Sequence, residues 1–141
     1  MKHNTKRFFL AGIILVVLLG FMGWHWMFRP ADTNVASKKT EVVIEADELI
    51  KAYTTNEDST NSLYLNKVVA VTGNIDNIIE KDQEISVYLK KKEESTGVMC
   101  SFYKTEFDKN INKVGQVISV KGICTGFLMD VVLTKCSIVK Y

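Results

Sequence analysis

Three cysteines carry the most versatile side-chain chemistry in this sequence of 141 residues: Cys100, Cys124 and Cys136. They form no CxxC pair, and both histidines, His3 and His25, lie close to the N-terminus. A zinc site needs clustered Cys and His ligands, and a catalytic thiol needs a neighbouring base such as an imidazole. The sequence therefore predicts no metal, no cofactor and no catalytic cysteine.

The spacing of Cys124 and Cys136 favours a disulfide between two strands. If these strands form a hairpin that turns near Met129–Asp130, both cysteines are equidistant from position 130 and lie nearly opposite each other. Directly opposed cysteines are close enough to bond, and oxidation is permitted outside the cytoplasm. The alternative is that all three cysteines are small buried hydrophobic residues, and the sequence leaves both interpretations open.

The sequence lacks the common catalytic motifs. It contains no glycine-rich phosphate loop, no GxSxG and no HExxH. Many of its carboxylates fall at predicted exposed helix positions, where we expect them to be solvated. These are Glu45, Asp47, Glu48, Glu57 and Asp58. We therefore expect a binding protein and not an enzyme.

A candidate ligand-binding face lies on the second and third predicted strands. Alternate side chains of these strands point away from the core, and two tyrosines and a lysine can stack on nucleic-acid bases. Tyrosines at outward strand positions are also ordinary sheet formers, so both interpretations stay open. The residues of this candidate face are Tyr88, Lys90, Met99, Ser101 and Tyr103, flanked by Phe127.

The elements that position these residues begin with an apolar run at residues 8–28. Its 21 residues match the roughly 20 that a helix needs to cross a bilayer core. Lys2, Lys6 and Arg7 precede the run, which places residues 1–7 in the cytoplasm. A cleaved signal peptide is the alternative, but the run is longer than usual for one and no A-x-A cleavage site follows. We expect a single-pass signal anchor.

Charge is divided unevenly between the anchor and the rest of the chain. Residues 1–29 contain four basic and no acidic residues, whereas residues 30–141 contain 14 basic and 16 acidic residues, a net charge of −2. The overall pI of 8.4 therefore reflects the N-terminus. A nucleic-acid-binding protein concentrates its basic residues on the folded part, so this distribution argues against a nucleic-acid partner.

A polar stretch at residues 29–41 holds the only proline and is predicted to be a linker. An amphipathic helix follows, because Ile44, Leu49 and Tyr53 fall on one face at helical spacing. The turn-forming residues after it predict that this helix ends near position 56 or 58. We assign residues 42–141 to one folded domain.

From residue 67 onward, the helical period gives way to the alternation typical of strands. Phe107 and Ile111 are four residues apart and predict a short helix between the third and fourth strands. Three meander strands, a short helix and a hairpin follow the order of the five-stranded OB-fold barrel, in which Gly73 would bend the long first strand. An open α+β sheet is the alternative to this mainly β fold. The predicted strands are 67–79, 85–91, 97–103, 116–125 and 130–139.

Several segments also resemble one known family. ADELIKAY at 46–53 precedes YLNKVVAVTGNI at 64–75, followed by VMCSF at 98–102 and VGQVISVKGICTGF at 114–127. Together they resemble the tRNA-anti-like family of bacterial OB-fold proteins over residues 42–140. The resemblance implies the OB fold, often in a lipoprotein or membrane-anchored protein, but it assigns no site residue and does not imply RNA binding. This sequence has no cysteine near the end of its apolar run that could be lipidated, which favours the transmembrane anchor.

These observations predict a single-pass protein of the inner membrane, part of the bacterial envelope. Its extracytoplasmic OB-fold domain is expected to bind a partner, with an envelope protein or a glycan favoured. A nucleic-acid-binding OB-fold protein is the alternative function.

Overall fold

The structure is a computed structural model that describes residues 12, 14–24 and 35–140. The chain separates into two compact units, residues 1–33 and 34–141. In the first unit, residues 14–24 are helical with exposed side chains. No helix within the described part of the chain is long and apolar enough to cross a membrane. The predicted cytoplasmic N-terminus, both ends of the predicted anchor and the first part of the linker lie outside the described residues.

The second unit begins with a single turn of 3-10 helix and continues with six strands and two α-helices over residues 35–140. The sequence predicts five of these strands, and each observed end lies within two residues of the prediction. In chain order, the elements are the 3-10 helix Val35–Ser37, β1 Val42–Glu45, α1 Ala46–Thr55, α2 Glu57–Tyr64, β2 Val68–Lys81, β3 Glu84–Leu89, β4 Val98–Tyr103, β5 Val117–Phe127 and β6 Val131–Ile138.

Five strands close into a barrel, and a sixth adds to it. β2 pairs antiparallel with both β3 and β5, β3 pairs with β4, and β5 pairs with β6. A parallel pairing of β4 with β6 closes the ring. This is the strand order of an OB barrel, so the prediction of a mainly β fold with a five-stranded barrel is confirmed. β1 lies parallel to the first half of β2 and was not predicted from the sequence.

Gly73 lies where the long strand β2 passes from one partner strand to the other. Residues 68–74 pair with β5, and residues 75–81 pair with β3. A Cβ atom at Gly73 would lie 2.9 Å from the Cβ of Ala46 and 3.2 Å from that of Leu89. The glycine is therefore needed because α1 begins directly against the strand at this point.

Aromatic side chains cover the two ends of the barrel core. Tyr53 of α1 is buried, and its ring stacks on Phe127 with a centroid distance of 5.7 Å. Phe107, in the loop after β4, packs against Phe102 with a centroid distance of 5.0 Å. Phe127 lies beside the start of β4 and Phe102 lies near its end. Each such burial contributes roughly 1.5–3 kcal/mol to folding.

The short helix predicted between the third and fourth barrel strands is wrong. Residues 104–116 form turns, although Phe107 is buried and Ile111 is 71% exposed. Asp108 explains the difference, because its side chain accepts a hydrogen bond from the Asn110 N–H at 2.8 Å. Such local side-chain bonds compete with helical hydrogen bonds. One buried aromatic residue therefore covers this end of the core without a helix.

The single amphipathic helix predicted before the barrel is two helices in the structure. Ile44, assigned to its apolar face, lies in β1, and α1 ends at Thr55. Asn56 then caps α2, because its Oδ1 accepts a hydrogen bond from the Ser59 N–H at 3.0 Å. The polar residues read as a turn are therefore helical, since an Asn cap satisfies a free N–H at the helix start.

The chain enters the barrel through a segment that packs on β5 and β6. Val35 is 1% exposed, and the Lys121 ammonium donates hydrogen bonds to the carbonyl oxygens of Ala36 at 2.7 Å and Lys38 at 2.8 Å. The sequence assigned this segment to a linker over residues 29–41. Within this predicted linker, the 3-10 helix Val35–Ser37 and the Lys38 carbonyl contact β5 and β6.

Candidate binding face

One outer face of the barrel presents cross-strand neighbours from β2, β3 and β4. The antiparallel registers place the outward side chains in three rows, each with one residue from each strand. Such neighbours are close enough to interact. We call this surface the β2–β4 face. Its rows are Asn77, Tyr88 and Met99; Ile79, Ser86 and Ser101; and Lys81, Glu84 and Tyr103.

Some polar side chains of the β2–β4 face form hydrogen bonds with other side chains of the same face. The phenol of Tyr88 donates to the Met99 sulfur at 3.3 Å, and the Ser101 hydroxyl donates to the Glu84 carboxylate at 3.4 Å. Tyr103 and Ile79 are 40% and 47% exposed. The face therefore combines fixed polar groups with accessible aromatic and aliphatic surface.

The charges on and beside the β2–β4 face are close to balanced. Lys81 stands opposite Glu84 in the strand register. Lys90, which follows β3, forms an ion pair with Asp76 at 3.5 Å. A site for a nucleic-acid backbone needs several cationic side chains directed at phosphates. Neutral and apolar groups dominate this face instead.

Four of the six residues of the predicted ligand-binding face lie together on this surface: Tyr88, Met99, Ser101 and Tyr103. Lys90 lies at the end of the same hairpin, in its ion pair. Phe127 does not join them, because its ring packs on Tyr53 of α1. Whether any of the six binds a ligand stays a prediction.

Sequence reasoning missed the contribution of β2 to this face. The alternation that places Val69, Val71 and Ile75 in the core is shifted by a bulge between Ile75 and Asn77. Asn77 and Ile79 thereby face outward beside β3. No residue type in this stretch marks the bulge, so only the register reveals it.

The turn between β5 and β6 presents two exposed apolar side chains near the start of β4. Leu128 and Met129 are 86% and 83% exposed. The base of the turn is fixed, because the Asp130 carboxylate accepts a hydrogen bond from the Gly97 N–H at 2.7 Å. We call Leu128 and Met129 the hairpin tip. Large exposed apolar side chains held on a fixed turn suit contact with a partner.

The predicted placement of Cys124 opposite Cys136 is wrong. All three cysteines are buried free thiols, and Cys124 pairs with Leu133. The reason is twofold: the pairs nearest the turn centre it on Met129 and not on position 130, and β5 and β6 have two register shifts, one on each side of the Ile123 and Cys124 pairs. Each bulge adds a residue to one strand, so equal spacing from the turn no longer predicts opposition.

Cys124 instead forms a polar contact inside the core. Its sulfur lies 3.2 Å from the phenol oxygen of Tyr53. Burial, followed by this hydrogen bond, raises the pKa of Tyr53 above its usual value. Within the described residues, no group of three or more His, Cys, Asp or Glu side chains could hold a metal ion. The thiol therefore acts as a packing group with a hydrogen-bond partner.

Two cavities lie away from the β2–β4 face. One, of 190 Å³, lies at the start of α1, where an ion pair with Asp47 raises the pKa of Lys91. The other, of 350 Å³, is lined in part by Lys104 and Lys109, which both pair with Glu80. Hydrogen bonds from these lysines, chiefly Lys104, lower the pKa of Glu80 to about 2. The ion pair at the first cavity balances one lysine with one carboxylate, whereas at the second cavity two lysines share one carboxylate.

The closed barrel defines an OB fold, which commonly serves as a binding domain. The family model tRNA_anti-like matches residues 1–138, so the chain belongs to that family. No curated protein matches the chain at a significant level.

Solved structures are similar to this chain at low sequence identity. A lipoprotein of Klebsiella pneumoniae, described as a candidate nucleic acid-binding protein, is 21% identical, covers 79% of this chain and 100% of its own, and has a TM-score of 0.59. A candidate aspartyl-tRNA synthetase of Leishmania major is 12% identical over 79% of this chain and 23% of its own, with a TM-score of 0.44. The first likeness supports the OB fold.

Proposed function

We propose that this chain is a membrane-anchored, extracytoplasmic OB-fold module that binds an envelope protein through the β2–β4 face and the hairpin tip. The location rests on the sequence alone. Residues 8–28 have the length and flanking charges of a single-pass anchor in the inner membrane, with the domain on the outer side. A domain fixed in this way would hold its partner near the membrane.

The observation that carries the proposal is the near-neutral character of the β2–β4 face. Aromatic residues and methionine are enriched at protein interfaces, whereas lysine and the acidic residues are depleted. Tyr88, Met99 and Ile79 supply this composition on the face, and Leu128 and Met129 supply it on the tip. The sheet holds the first three side chains in a fixed register, which limits the entropy lost on binding.

The partner can be captured by site-specific photocrosslinking of the full chain in cells. A photoreactive residue at Ile79 or Met129 should give one discrete protein adduct, because both side chains are exposed at the proposed interface. The same residue at Ile111, which is 71% exposed in the loop after β4, serves as the matched control. Equal adducts at all three positions, or none at the face, would contradict a protein partner there.

Affinity for the captured protein then tests the face directly. Tyr88→Ala should weaken binding of the purified partner by at least about tenfold if the ring is an anchor worth more than about 1.4 kcal/mol. Glu106→Ala, at an exposed position in the loop after β4, should leave affinity unchanged.

A glycan ligand is also favoured by the sequence. It would give no protein adduct, but the chain would be retained on immobilised envelope glycan, and Tyr88→Ala would abolish this retention.

A nucleic-acid ligand is the second candidate function. The fold shared with the K. pneumoniae protein and the two tyrosines on the face favour it. Binding of the full chain to single-stranded oligonucleotides at low salt is the discriminating measurement. Tight binding that weakens steeply with salt would support this candidate, and no binding at low salt would remove it.

The location is tested separately by protease accessibility of the domain in intact spheroplasts.

A further inference from the structure

The strand β1 lies at an open edge of the sheet. Within the described part of the chain, it pairs with β2 alone, over the four residues Val42–Glu45. Each of the other described strands pairs with at least two neighbours. An open edge carries unpaired backbone N–H and C=O groups, and these groups can pair with an extended peptide.

The hydrogen bonds of β2 indicate which residue of β1 faces the open edge. The Val68 carbonyl oxygen accepts a hydrogen bond from the Glu41 N–H at 2.9 Å, so even-numbered residues in this part of β2 direct their backbone groups towards β1. Ala70 stands opposite Val43 and therefore pairs with the residues on either side of Val43. Val43 consequently directs its own N–H and C=O to the open edge.

The exposed side chains of β1 and the residue before it form a row in which two acids flank a valine. Glu41, Val43 and Glu45 are exposed, Val43 by 69%, whereas the two residues between them pack against the core. Neither carboxylate of the row forms an ion pair within the described part of the domain. Lys91, beside Glu45 at the start of α1, is already paired with Asp47.

The charges of this row disfavour a second copy of β1 at the edge. In an antiparallel pair centred on Val43, Glu41 of each copy would stand opposite Glu45 of the other. A parallel pair in register would place identical acids side by side. Like charges directly opposite each other destabilise a sheet, whereas opposite charges stabilise it. The row therefore matches a strand with basic residues at these two places.

We propose that the open edge of β1 binds an extended segment of another protein, in which two basic residues flank an apolar residue at alternate positions. The backbone of this segment pairs with the N–H and C=O of Val43, and its basic side chains meet Glu41 and Glu45. The site is separate from the β2–β4 face, because β1 pairs with residues 69–72 of β2 and the face uses residues 77–81. It requires neither that face nor the anchor.

A synthetic peptide tests the site on the purified full chain in detergent. The probe is fluorescein-Thr-Lys-Thr-Val-Thr-Lys-Thr-amide, and its binding is followed by fluorescence anisotropy. We expect saturable binding with a Kd of about 0.1–1 mM, because a short edge offers few hydrogen bonds. Replacing both lysines of the probe with glutamate, or N-methylating its valine, should weaken binding at least about tenfold, since these changes reverse the charges or remove the central N–H.

Variants of β1 separate backbone pairing from other contacts. Val43→Pro removes the N–H at the open edge but no hydrogen bond to β2, and it should weaken binding of the probe at least about tenfold. Val43→Thr keeps that N–H and should change the Kd by less than about twofold. Glu45→Lys should weaken binding as well, whereas Glu48→Lys, at an exposed position of α1, is its matched control. Thermal unfolding checks that each variant is folded.

Several results would overturn the proposal. These are the absence of saturable binding, equal binding of the lysine and glutamate peptides, and equal binding of the probe by wild type and Val43→Pro. Self-association of the full chain that Val43→Pro abolishes would show that a second copy occupies the edge instead. Tyr88→Ala should leave binding of the probe unchanged, so a failure of this site is distinguishable from a failure of the β2–β4 face.

Discussion

The β3–β4 and β5–β6 hairpins build the same barrel in different ways. β3 and β4 pair over six consecutive positions without a register shift, from Glu84 opposite Tyr103 to Leu89 opposite Val98. β5 and β6 are longer and contain two shifts. The regular hairpin carries the proposed binding face on its outer side, while the irregular hairpin positions thiols in the core.

The difference shows what a bulge does to side-chain placement. In the regular hairpin, strict alternation brings Tyr88, Ser101 and Tyr103 to one surface. In the irregular hairpin, the same reasoning fails by three positions, because Cys124 stands opposite Leu133 and not opposite Cys136. A one-residue shift reverses which face a side chain meets, so the core chemistry depends on the bulges.

Overfilling the bulged hairpin should have the largest effect on stability. Gly122→Val would place its Cβ 2.6 Å from the Cys136 sulfur and 3.2 Å from the Thr134 carbonyl oxygen. We expect a loss of about 3 kcal/mol in unfolding free energy, measured by urea denaturation of the full chain in detergent with reductant present. Ser86→Val, on the outer side of the regular hairpin, should change it by less than about 0.5 kcal/mol.

A double-mutant cycle locates the cause of that loss. If the clash is with the sulfur, Gly122→Ala combined with Cys136→Ala should be more stable than the sum of the two single changes predicts by about 1 kcal/mol. Strict additivity would show that Gly122 is needed for another reason.

Removing the polar contact of Cys124 should have a smaller effect. Tyr53→Phe deletes the phenol that contacts the thiol at 3.2 Å, and we expect a loss of about 1 kcal/mol at pH 7. The raised pKa of Tyr53 adds a pH dependence. Its contribution to stability is complete below the usual tyrosine pKa of about 10 and is lost as pH rises above that value.

The measurement is the unfolding free energy of the wild type and the variant between pH 8 and 11. The wild type should lose about 1.4 kcal/mol for each pH unit above pH 10 on account of Tyr53, and the variant should lack this component. Tyr103→Phe, at an exposed position, is the control and should keep the wild-type slope. Parallel slopes for wild type and Tyr53→Phe would contradict the assignment.

The barrel could be predicted from the sequence because its strands alternate over most of their length and its turns are polar. Four residues of the face could be predicted as well, since β3 and β4 pair without a register shift. The sequence could not reveal the shift that turns Asn77 and Ile79 outward, because a bulge depends on pairing between distant strands.

Other features escaped prediction because they depend on long-range contacts. The strand β1 is four residues long and is defined mainly by its parallel partner β2. Phe127 was assigned to the ligand face, but α1 supplies a stacking partner in Tyr53 that strand periodicity does not show. In each case, a contact between distant parts of the chain decides the outcome, and a single sequence does not display such contacts.

Relaxing the bulge should stabilise the irregular hairpin slightly. Lys135 has a φ of +53°, which costs a non-glycine residue about 1 kcal/mol or more. Lys135→Gly removes that strain but increases the freedom of the unfolded chain, so we expect a net gain of about 0.5 kcal/mol in urea denaturation. Lys81→Gly, within β2, should have the opposite sign and lose about 0.5–1 kcal/mol. Losses of equal size at both positions would show that the bulge is unstrained.

The smallest effect is expected from the surface charges that link the end of β2 to the loop after β4. Glu80 pairs there with Lys104 and Lys109, and its pKa is lowered to about 2, chiefly by the hydrogen bond from Lys104. The resulting stabilisation is present above the usual glutamate pKa of 4.5 and is lost as pH falls towards 2. Glu80→Gln should therefore flatten the acid side of the stability curve, and added salt should reduce its difference from the wild type because exposed ion pairs are screened. A difference that persists in 1 M salt would show that Glu80 acts through packing. The end of β2 beside the regular hairpin would then depend on packing between distant residues, as the bulged hairpin does.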